Sequence, residues 1–166
     1  MKHADTTSAG MLHRLDRWMY RGGRPNRVAR VLNRIGAVQY AHRIAAPRQA
    51  VTLEVVGRRT GKAISFPLVL TPYDGQRYLV SMLGEHTNWV RNVRAADGRA
   101  VLRSGHREAV RLVEVEPADR AAILRKYLDL APGARAHLPV DRTAPLTEFE
   151  RIAPDYPVFR ITPAPA

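Results

Sequence analysis

The chain has 166 residues, a length that suits one domain with one substantial hydrophobic core. Lysine and arginine number 27 against 15 aspartate and glutamate residues, so the formal net charge is +12, and nearly all of the excess is arginine. The sequence contains no cysteine, which excludes disulfides, thiol catalysis and thiolate metal sites. The charge favours an anionic partner but does not choose among polyanions, lipid surfaces and phosphorylated small molecules.

The first 48 residues carry a basic, amphipathic helical pattern. Arginines recur at three- and four-residue steps from Arg14 to Arg34, and apolar residues that include Trp18 fall between them. We predict two short helices, broken at the sequence RGGRP, that pack on the domain formed by residues 49–166. The alternative is that this segment makes weak contact with an anionic membrane surface.

After Pro47 the pattern becomes that of β-strands. AVTLEVVG predicts a first strand, AISFPLVLTPY a second and RYLVSML a third, and the turns RRTGK and YDGQ join them into an antiparallel meander. Pro67 removes a backbone donor from the second strand, so we expect a sheet edge or a bulge there. The next segment predicts a loop and a short helix, capped by Thr87 or Asn88 and ended by Gly98.

The remaining elements complete a small barrel. RAVLRSG and REAVRLVEVE predict two more strands that meet at Gly105, and PADRAAILRKYLDLAPG predicts a helix that opens at Pro117. A proline-rich connection containing LTEFERI leads to a closing strand, YPVFRIT. Six antiparallel strands with helices between them predict a mainly β, or α+β, barrel with helices packed on it.

The sequence carries no conventional catalytic or metal-binding constellation. Its six histidines form no HxH or HExxH pair, which argues against a protein-bound metal. The serines lie in no nucleophile elbow, and the sequence has no P-loop, GxGxxG, helix-turn-helix or zinc-finger pattern. We therefore expect no nucleic-acid partner and assign no catalytic side chain. An enzyme of this kind would rely on a bound cofactor.

The turn GRRTGK is the most unusual local feature. Arg58, Arg59 and Lys62 lie close together between two apolar strands, where their mutual repulsion favours a bound anion. The alternative is a solvated basic hairpin, because runs of charge usually lie on the surface. The turn is thus a candidate anion-binding site.

This turn belongs to a longer pattern. VGRRTGKAISFPLVL, DGQRYLVSMLG and NWVRNVRAADGRAVLR follow one another over about residues 51–103, and together with DYPVFRIT they resemble the deazaflavin-dependent nitroreductase family of actinobacteria. The resemblance implies a split β-barrel of the flavin-reductase type and a cofactor, coenzyme F420, which is an anionic 8-hydroxy-5-deazaflavin. FMN is the less favoured cofactor. We expect the protein in the cytoplasm, where any membrane contact would be peripheral and at the inner face.

The resemblance also implies which residues contact F420. The basic turn would hold phosphate through its cationic side chains and its backbone N–H groups, and three further segments would surround the deazaflavin ring. The implied cofactor-binding residues are Arg58, Arg59, Thr60, Gly61, Lys62, Pro67, Leu68, Ser81, Met82, Leu83, Gly84, Asn88, Trp89 and Asn92. The implied residues on the substrate side are Phe149 and Tyr156.

Two functions remain open. The first is hydride transfer between F420 and a quinone-like or other conjugated, electron-poor acceptor. The second is non-catalytic binding of a fatty acid or other lipid in the same barrel at the membrane surface. Ile64 stands where family members carry an arginine, SMLGEH lacks the lysine of their loop, and their C-terminal tyrosines are fewer here. The ring-side pattern is better preserved, so we favour the oxidoreductase.

Overall fold

The computed structural model describes residues 47–165, so the predicted N-terminal helices lie outside the described residues. The strands are β1 (Ala50–Val56), β2 (Ala63–Tyr73), β3 (Gln76–Val80), β4 (Arg99–Ser104), β5 (His106–Glu114) and β6 (Val158–Pro163). The α-helices are α1 (Asn88–Ala95), α2 (Ala121–Leu130) and α3 (Leu146–Ile152). Short 3₁₀ turns cover Pro47–Gln49, Pro117–Asp119, Pro132–Ala134 and Ala153–Asp155.

The six strands form one closed antiparallel barrel. Their order around it is β1, β2, β3, β6, β5 and β4, and β4 pairs with β1 to close the circle. The first three strands form the predicted meander, while β6 inserts between β3 and β5. Closure leaves no free sheet edge running the length of the barrel. The predicted barrel with helices packed on it is confirmed.

Alternate side chains of the strands fill the barrel. Leu53 of β1 lies opposite Phe66 of β2 and Leu102 of β4, and all three are buried. Leu79 and Phe159 face each other in the same way on β3 and β6. This alternation is what a period of two residues produces when one face of each strand points inward. The interior is therefore a packed core.

A second core lies on the outside of β2, β3 and β6. Tyr78, Val80 and Val158 alternate with the interior residues and pack beneath α2 and α3. The apolar residues of α2 recur at helical spacing and are buried on one face: Ala121, Ile123, Leu124, Tyr127 and Leu128. Within residues 47–165, no helix is long and apolar enough to cross a membrane.

Two local expectations have different outcomes. Pro67 lies at a local edge, because β2 pairs with β1 up to Val69 and with β3 only from Leu70 onward. That expectation is confirmed. The expected start of α2 at Pro117 is wrong, because Pro117–Asp119 forms a separate 3₁₀ turn and the α-helix begins at Ala121.

We call the end of the barrel where β1 ends and β2 begins the upper end. Because the strands are antiparallel, β3 also ends there and β4 and β6 begin there. Helix α1 joins β3 to β4 and closes this end with its buried residues Val90 and Val93. The ring of Trp89 packs against Phe159 of the interior, with centroids 5.4 Å apart and planes inclined by 59°.

Candidate functional site

The basic turn, residues 57–62, is closed by its own backbone. The Gly57 N–H donates to the Lys62 carbonyl at 2.7 Å, and the Gly61 N–H donates to the Gly57 carbonyl at 2.8 Å. A Cβ on Gly57 would lie 2.8 Å from Cδ1 of Ile64, and Gly61 has a φ of +64°. Both positions therefore favour glycine, and the two hydrogen bonds close the turn.

A side chain of α1 anchors this turn. The Oδ1 atom of Asn92 accepts a hydrogen bond from Nη1 of Arg58 at 2.8 Å and another from the Arg58 backbone N–H at 3.3 Å. Two N–H donors converge on this one atom, so it is the carbonyl oxygen of the amide. Asn92 is only 2% exposed. The buried amide thus joins the turn to α1 across 34 positions of the sequence.

Most backbone N–H groups of the turn are already used within the protein. Those of Gly57, Thr60 and Gly61 donate to carbonyls of the turn, that of Arg58 donates to Asn92, and that of Lys62 donates to the Thr60 hydroxyl. These groups are not free to hold phosphate, which corrects that part of the expectation. The side chains of Arg58, Arg59 and Lys62 are exposed. The donors that fit an anionic group are therefore cationic side chains.

The loop of residues 81–84 is fixed beside α1. The Ser81 hydroxyl donates to the Gly84 carbonyl at 2.7 Å and lies 3.1 Å from the Thr87 hydroxyl. The Ser81 N–H donates to the Pro157 carbonyl at 2.9 Å. Gly84 has a φ of +82°, and a Cβ there would lie 3.3 Å from the Asp155 carbonyl. The loop is thus held between α1 and the segment that precedes β6.

An ion-pair network extends from this loop into the protein. Arg94 of α1 pairs with Glu85 at 3.0 Å and with Glu114 at the end of β5 at 2.7 Å. The hydrogen bond to Glu114 raises the pKa of Arg94, with a smaller contribution from Glu85. Arg94 lies on the exposed face of α1, and the local sequence does not reveal these partners. They come from a loop and a strand that only folding brings to the helix.

The network ends at Arg120, which sequence reasoning missed. Its side chain is buried, and burial lowers the pKa of Arg120. Nε donates to the Val115 carbonyl at 2.7 Å, Nη1 to the Ala153 carbonyl at 3.0 Å and Nη2 to Glu114 at 3.3 Å. Arg120 therefore holds the segment after α3 against the end of β5. No local pattern marks it, because four of its acceptors are backbone carbonyls.

The structure brings most of the implied cofactor residues to the upper end. The basic turn, the loop of residues 81–84 and α1 lie there together, and Leu83 and Asn88 are exposed. Trp89 is 5% exposed and serves mainly as core. Met82 packs in the second core, and Leu68 lies in the barrel interior opposite Val51. The side chains of Met82 and Leu68 are therefore core residues, which corrects their expected place around the ring.

The two implied substrate residues differ in their exposure to solvent. Phe149 is 0% exposed and belongs to the second core, so its side chain has no surface for a substrate, which corrects its expected place. Tyr156 is partly exposed and precedes Pro157, which binds Ser81. Its hydroxyl donates to the His137 carbonyl at 3.0 Å. Burial raises the pKa of Tyr156, and Asp155 adds to the effect, so the phenol is neutral near pH 7.

The described part of the chain has no group of side chains suited to bind a metal ion. Residues 47–165 contain no cluster of three His, Asp or Glu side chains that could hold a metal ion. The arrangement at the upper end instead offers exposed cations, a fixed loop and a short helix. Such a surface is able to hold an anionic organic molecule.

Comparison with solved structures gives the same fold. A protein of unknown function from Agrobacterium tumefaciens is 16% identical, with a TM-score of 0.52, over 77% of this chain and 54% of that one. This chain therefore spans about half the length of that protein. A domain-swapped dimer is 18% identical, with a TM-score of 0.50, over 76% of this chain and 97% of that one. An F420-H2 dependent reductase is 16% identical, with a TM-score of 0.47, over 69% of this chain and 95% of that one.

Comparison of sequences gives the family. Among curated proteins, no sequence matches this chain. Residues 26–147, which are more than half of the chain, match the family described as F420H(2)-dependent quinone reductase. The resemblance to F420-dependent reductases that the sequence motifs predict is thereby confirmed. The chain belongs to the F420H(2)-dependent quinone reductase family.

Proposed function

We propose that the protein transfers a hydride from reduced F420 to a quinone-like acceptor at the upper end of the barrel. One observation supports this location: the basic turn, which carries exposed cations, is anchored to α1 through the bonds between Arg58 and Asn92, beside the fixed loop of residues 81–84. Cations that would bind the anionic end of F420 and a loop that would support its ring thus lie at one end. The family name supports a quinone as the acceptor.

The residues present fit F420. The coenzyme has a phosphodiester and a glutamate tail, and guanidinium groups bind phosphate and carboxylate oxygens through paired N–H donors. Arg58, Arg59 and Lys62 would hold this anionic end. The bound coenzyme supplies hydride-transfer chemistry, so the protein's own task is to bind and orient.

The remaining residues of the upper end would orient the ring and the acceptor. The hydrogen bond from Ser81 to Gly84 fixes the loop of residues 81–84, and Leu83 is its exposed residue. Tyr156 precedes Pro157, whose carbonyl accepts a hydrogen bond from the Ser81 N–H, and its neutral hydroxyl donates to the His137 carbonyl. Reduction of a quinone by hydride also consumes one proton. An exposed site of this kind can take that proton from water.

The test is a titration followed by turnover. We expect F420 to bind in a fluorescence titration, and we expect reduced F420 to be reoxidised faster with menadione than with a nitroaromatic acceptor. FMN, which has a terminal phosphate and no glutamate tail, should compete weakly. Coenzyme binding without any reoxidation by quinones above the uncatalysed rate would contradict the acceptor. A fatty acid in an organic extract of the protein, together with no F420 binding, would favour the lipid-binding alternative.

Membrane contact is a second part of the proposal. The arginines from Arg14 to Arg34 and the apolar Trp18 would give weak binding to anionic vesicles, at about 1 kcal/mol for each basic residue near the surface. Screening acts over roughly 8 Å at physiological salt, so sedimentation with vesicles should fade as salt rises. Absence of sedimentation at low ionic strength would contradict this contact.

A further inference from the structure

The arginine side chains of residues 47–165 are held in different ways. Carboxylates hold most of those that form side-chain bonds: Arg77, Arg94, Arg103, Arg107, Arg111, Arg142 and Arg151. Arg120 combines a carboxylate with backbone carbonyls, and Arg135 uses a backbone carbonyl. In this part of the chain, Arg58 alone is held by a neutral side chain, that of Asn92.

The charge of the partner decides whether an oriented arginine can still bind an anion. A carboxylate fixes a guanidinium but also cancels its charge, so the pair attracts a further anion only weakly. An amide oxygen fixes the guanidinium and leaves the positive charge uncompensated. A guanidinium has five N–H donors, and the bond to Asn92 uses one of them on Arg58. Arg58 is therefore oriented and remains available to an anion.

The burial of Asn92 limits its own role. The residue is 2% exposed, and its oxygen already accepts two hydrogen bonds from Arg58. One of those bonds comes from the backbone of the turn, so Asn92 holds both the chain and the side chain of Arg58. A residue placed in this way would act on a ligand through Arg58.

We propose that Asn92 is a positioning residue that keeps Arg58 oriented, with its positive charge uncompensated, for the anionic end of F420. This inference rests on the proposed function. It makes the choice of asparagine over aspartate a determinant of anion affinity: aspartate would give Arg58 a stronger partner and a neutralised charge. A purely structural role for Asn92 predicts the opposite, namely that aspartate is fully tolerated.

Three variants separate these roles. Asn92→Asp keeps the acceptor and adds a negative charge, whereas Asn92→Leu keeps a similar volume and removes the acceptor. Gln76→Glu is the control, because it makes the same change from amide to carboxylate at an exposed residue beside the turn between β2 and β3, at the opposite end of the barrel. For each protein we would measure the Kd of F420 by fluorescence at low and physiological salt, and the thermal unfolding midpoint.

The positioning role predicts a distinct result for each variant. Asn92→Asp should unfold at the wild-type temperature or above it, yet bind F420 at least about tenfold more weakly and with a shallower salt dependence. Asn92→Leu should both unfold earlier and bind more weakly. Gln76→Glu should bind within about twofold of wild type. Wild-type affinity in Asn92→Asp would overturn the inference and leave the proposed function intact.

A second probe keeps the test decisive if F420 itself does not bind. Inorganic pyrophosphate would then be added to wild type and to Asn92→Asp, and the unfolding midpoint would be followed. Stabilisation of wild type but not of the variant would support an anion site maintained by Asn92, even though the proposed cofactor chemistry had failed. Equal stabilisation of both proteins, or of neither, would overturn the inference.

Discussion

The basic turn and the lower end of the barrel use arginine for different purposes. At the upper end, Arg58 is oriented by a neutral amide, and within the described residues Arg59 has no ion pair or hydrogen bond. At the lower end, where β2 meets β3 and β4 meets β5, Arg77 forms a bidentate pair with Glu108, at 3.0 and 2.7 Å. Paired arginines contribute to stability, whereas oriented and uncompensated arginines remain available for binding.

The pair Arg103 and Arg107 makes this contrast clearer. These residues lie directly opposite each other on β4 and β5, an arrangement of like charges that destabilises a sheet. Both donate to Glu54, at 3.1 and 2.7 Å, and the Glu54 side chain is only 10% exposed. The carboxylate removes the repulsion and the arginines compensate its burial. No equivalent carboxylate binds the guanidinium groups of Arg58 and Arg59 in the described part of the chain.

The largest expected effect tests the core of the upper end. Trp89→Ala should lower the free energy of unfolding by about 3–5 kcal/mol, because it leaves a cavity beside Phe159. Urea unfolding would measure the loss. A loss below about 1 kcal/mol would show that α1 does not depend on this packing. Trp89→Phe, which retains a ring, is therefore the better variant for studies of turnover.

The second prediction concerns the basic turn. Changing Arg58 and Arg59 together to alanine should weaken F420 binding by about 3 kcal/mol, or roughly a hundredfold in Kd, since a charge-assisted hydrogen bond contributes about 1.5–3 kcal/mol. Stability should change by only about 1 kcal/mol, because both side chains are exposed and the backbone N–H at position 58 still donates to Asn92. A fluorescence titration and an unfolding curve on the same sample would check both parts. Unaltered affinity would remove the turn from the site.

The third prediction makes the same charge change at the other end. Changing Arg103 and Arg107 together to alanine leaves Glu54 buried without a cation, which should cost about 1–3 kcal/mol of unfolding free energy. F420 affinity should stay near the wild-type value, because these arginines share the Glu54 carboxylate and lie away from the basic turn. Weaker F420 binding in this variant would contradict the distinction between the arginines of the basic turn and those paired with Glu54.

The smallest expected effect is a dependence of stability on pH. The hydrogen bond from Arg77 holds the pKa of Glu108 below its ordinary value. A folded-state pKa below the unfolded one means that the stabilisation is present above about pH 4.5 and is lost as pH falls through the folded value. Glu108→Gln should therefore remove this part of the acid sensitivity.

The size of that effect is limited by exposure. The side chains of Arg77 and Glu108 are 39% and 29% exposed, so solvent screening keeps the contribution to about 1 kcal/mol or less. Unfolding by urea at pH 7 and near pH 3 would compare the variant with wild type. If the free energy of unfolding fell by the same amount from pH 7 to pH 3 in both proteins, the assignment of this acid sensitivity to Glu108 would be wrong.

The strands and turns were predictable because their signals are local. The limits of β2, at Ala63 and Tyr73, follow from apolar alternation between two glycine turns. The third strand is shorter than predicted, since it ends at Val80 and Ser81 begins the fixed loop. Side chains after that point then lie in different environments: Met82 enters the second core and Leu83 is exposed. Strand periodicity does not extend across such a turn.

The sequence by itself determined the barrel, the basic turn and the resemblance to F420-dependent reductases, because alternation, glycine conformation and motif order reside in neighbouring residues. Only the tertiary structure decided which charges are compensated. Asn92 meets Arg58 across 34 positions, and Glu54 meets Arg103 and Arg107 across 49 and 53. Whether the charge of an arginine is compensated depends on the partner atom within about 3 Å of its guanidinium. Folding brings that atom from a distant part of the sequence.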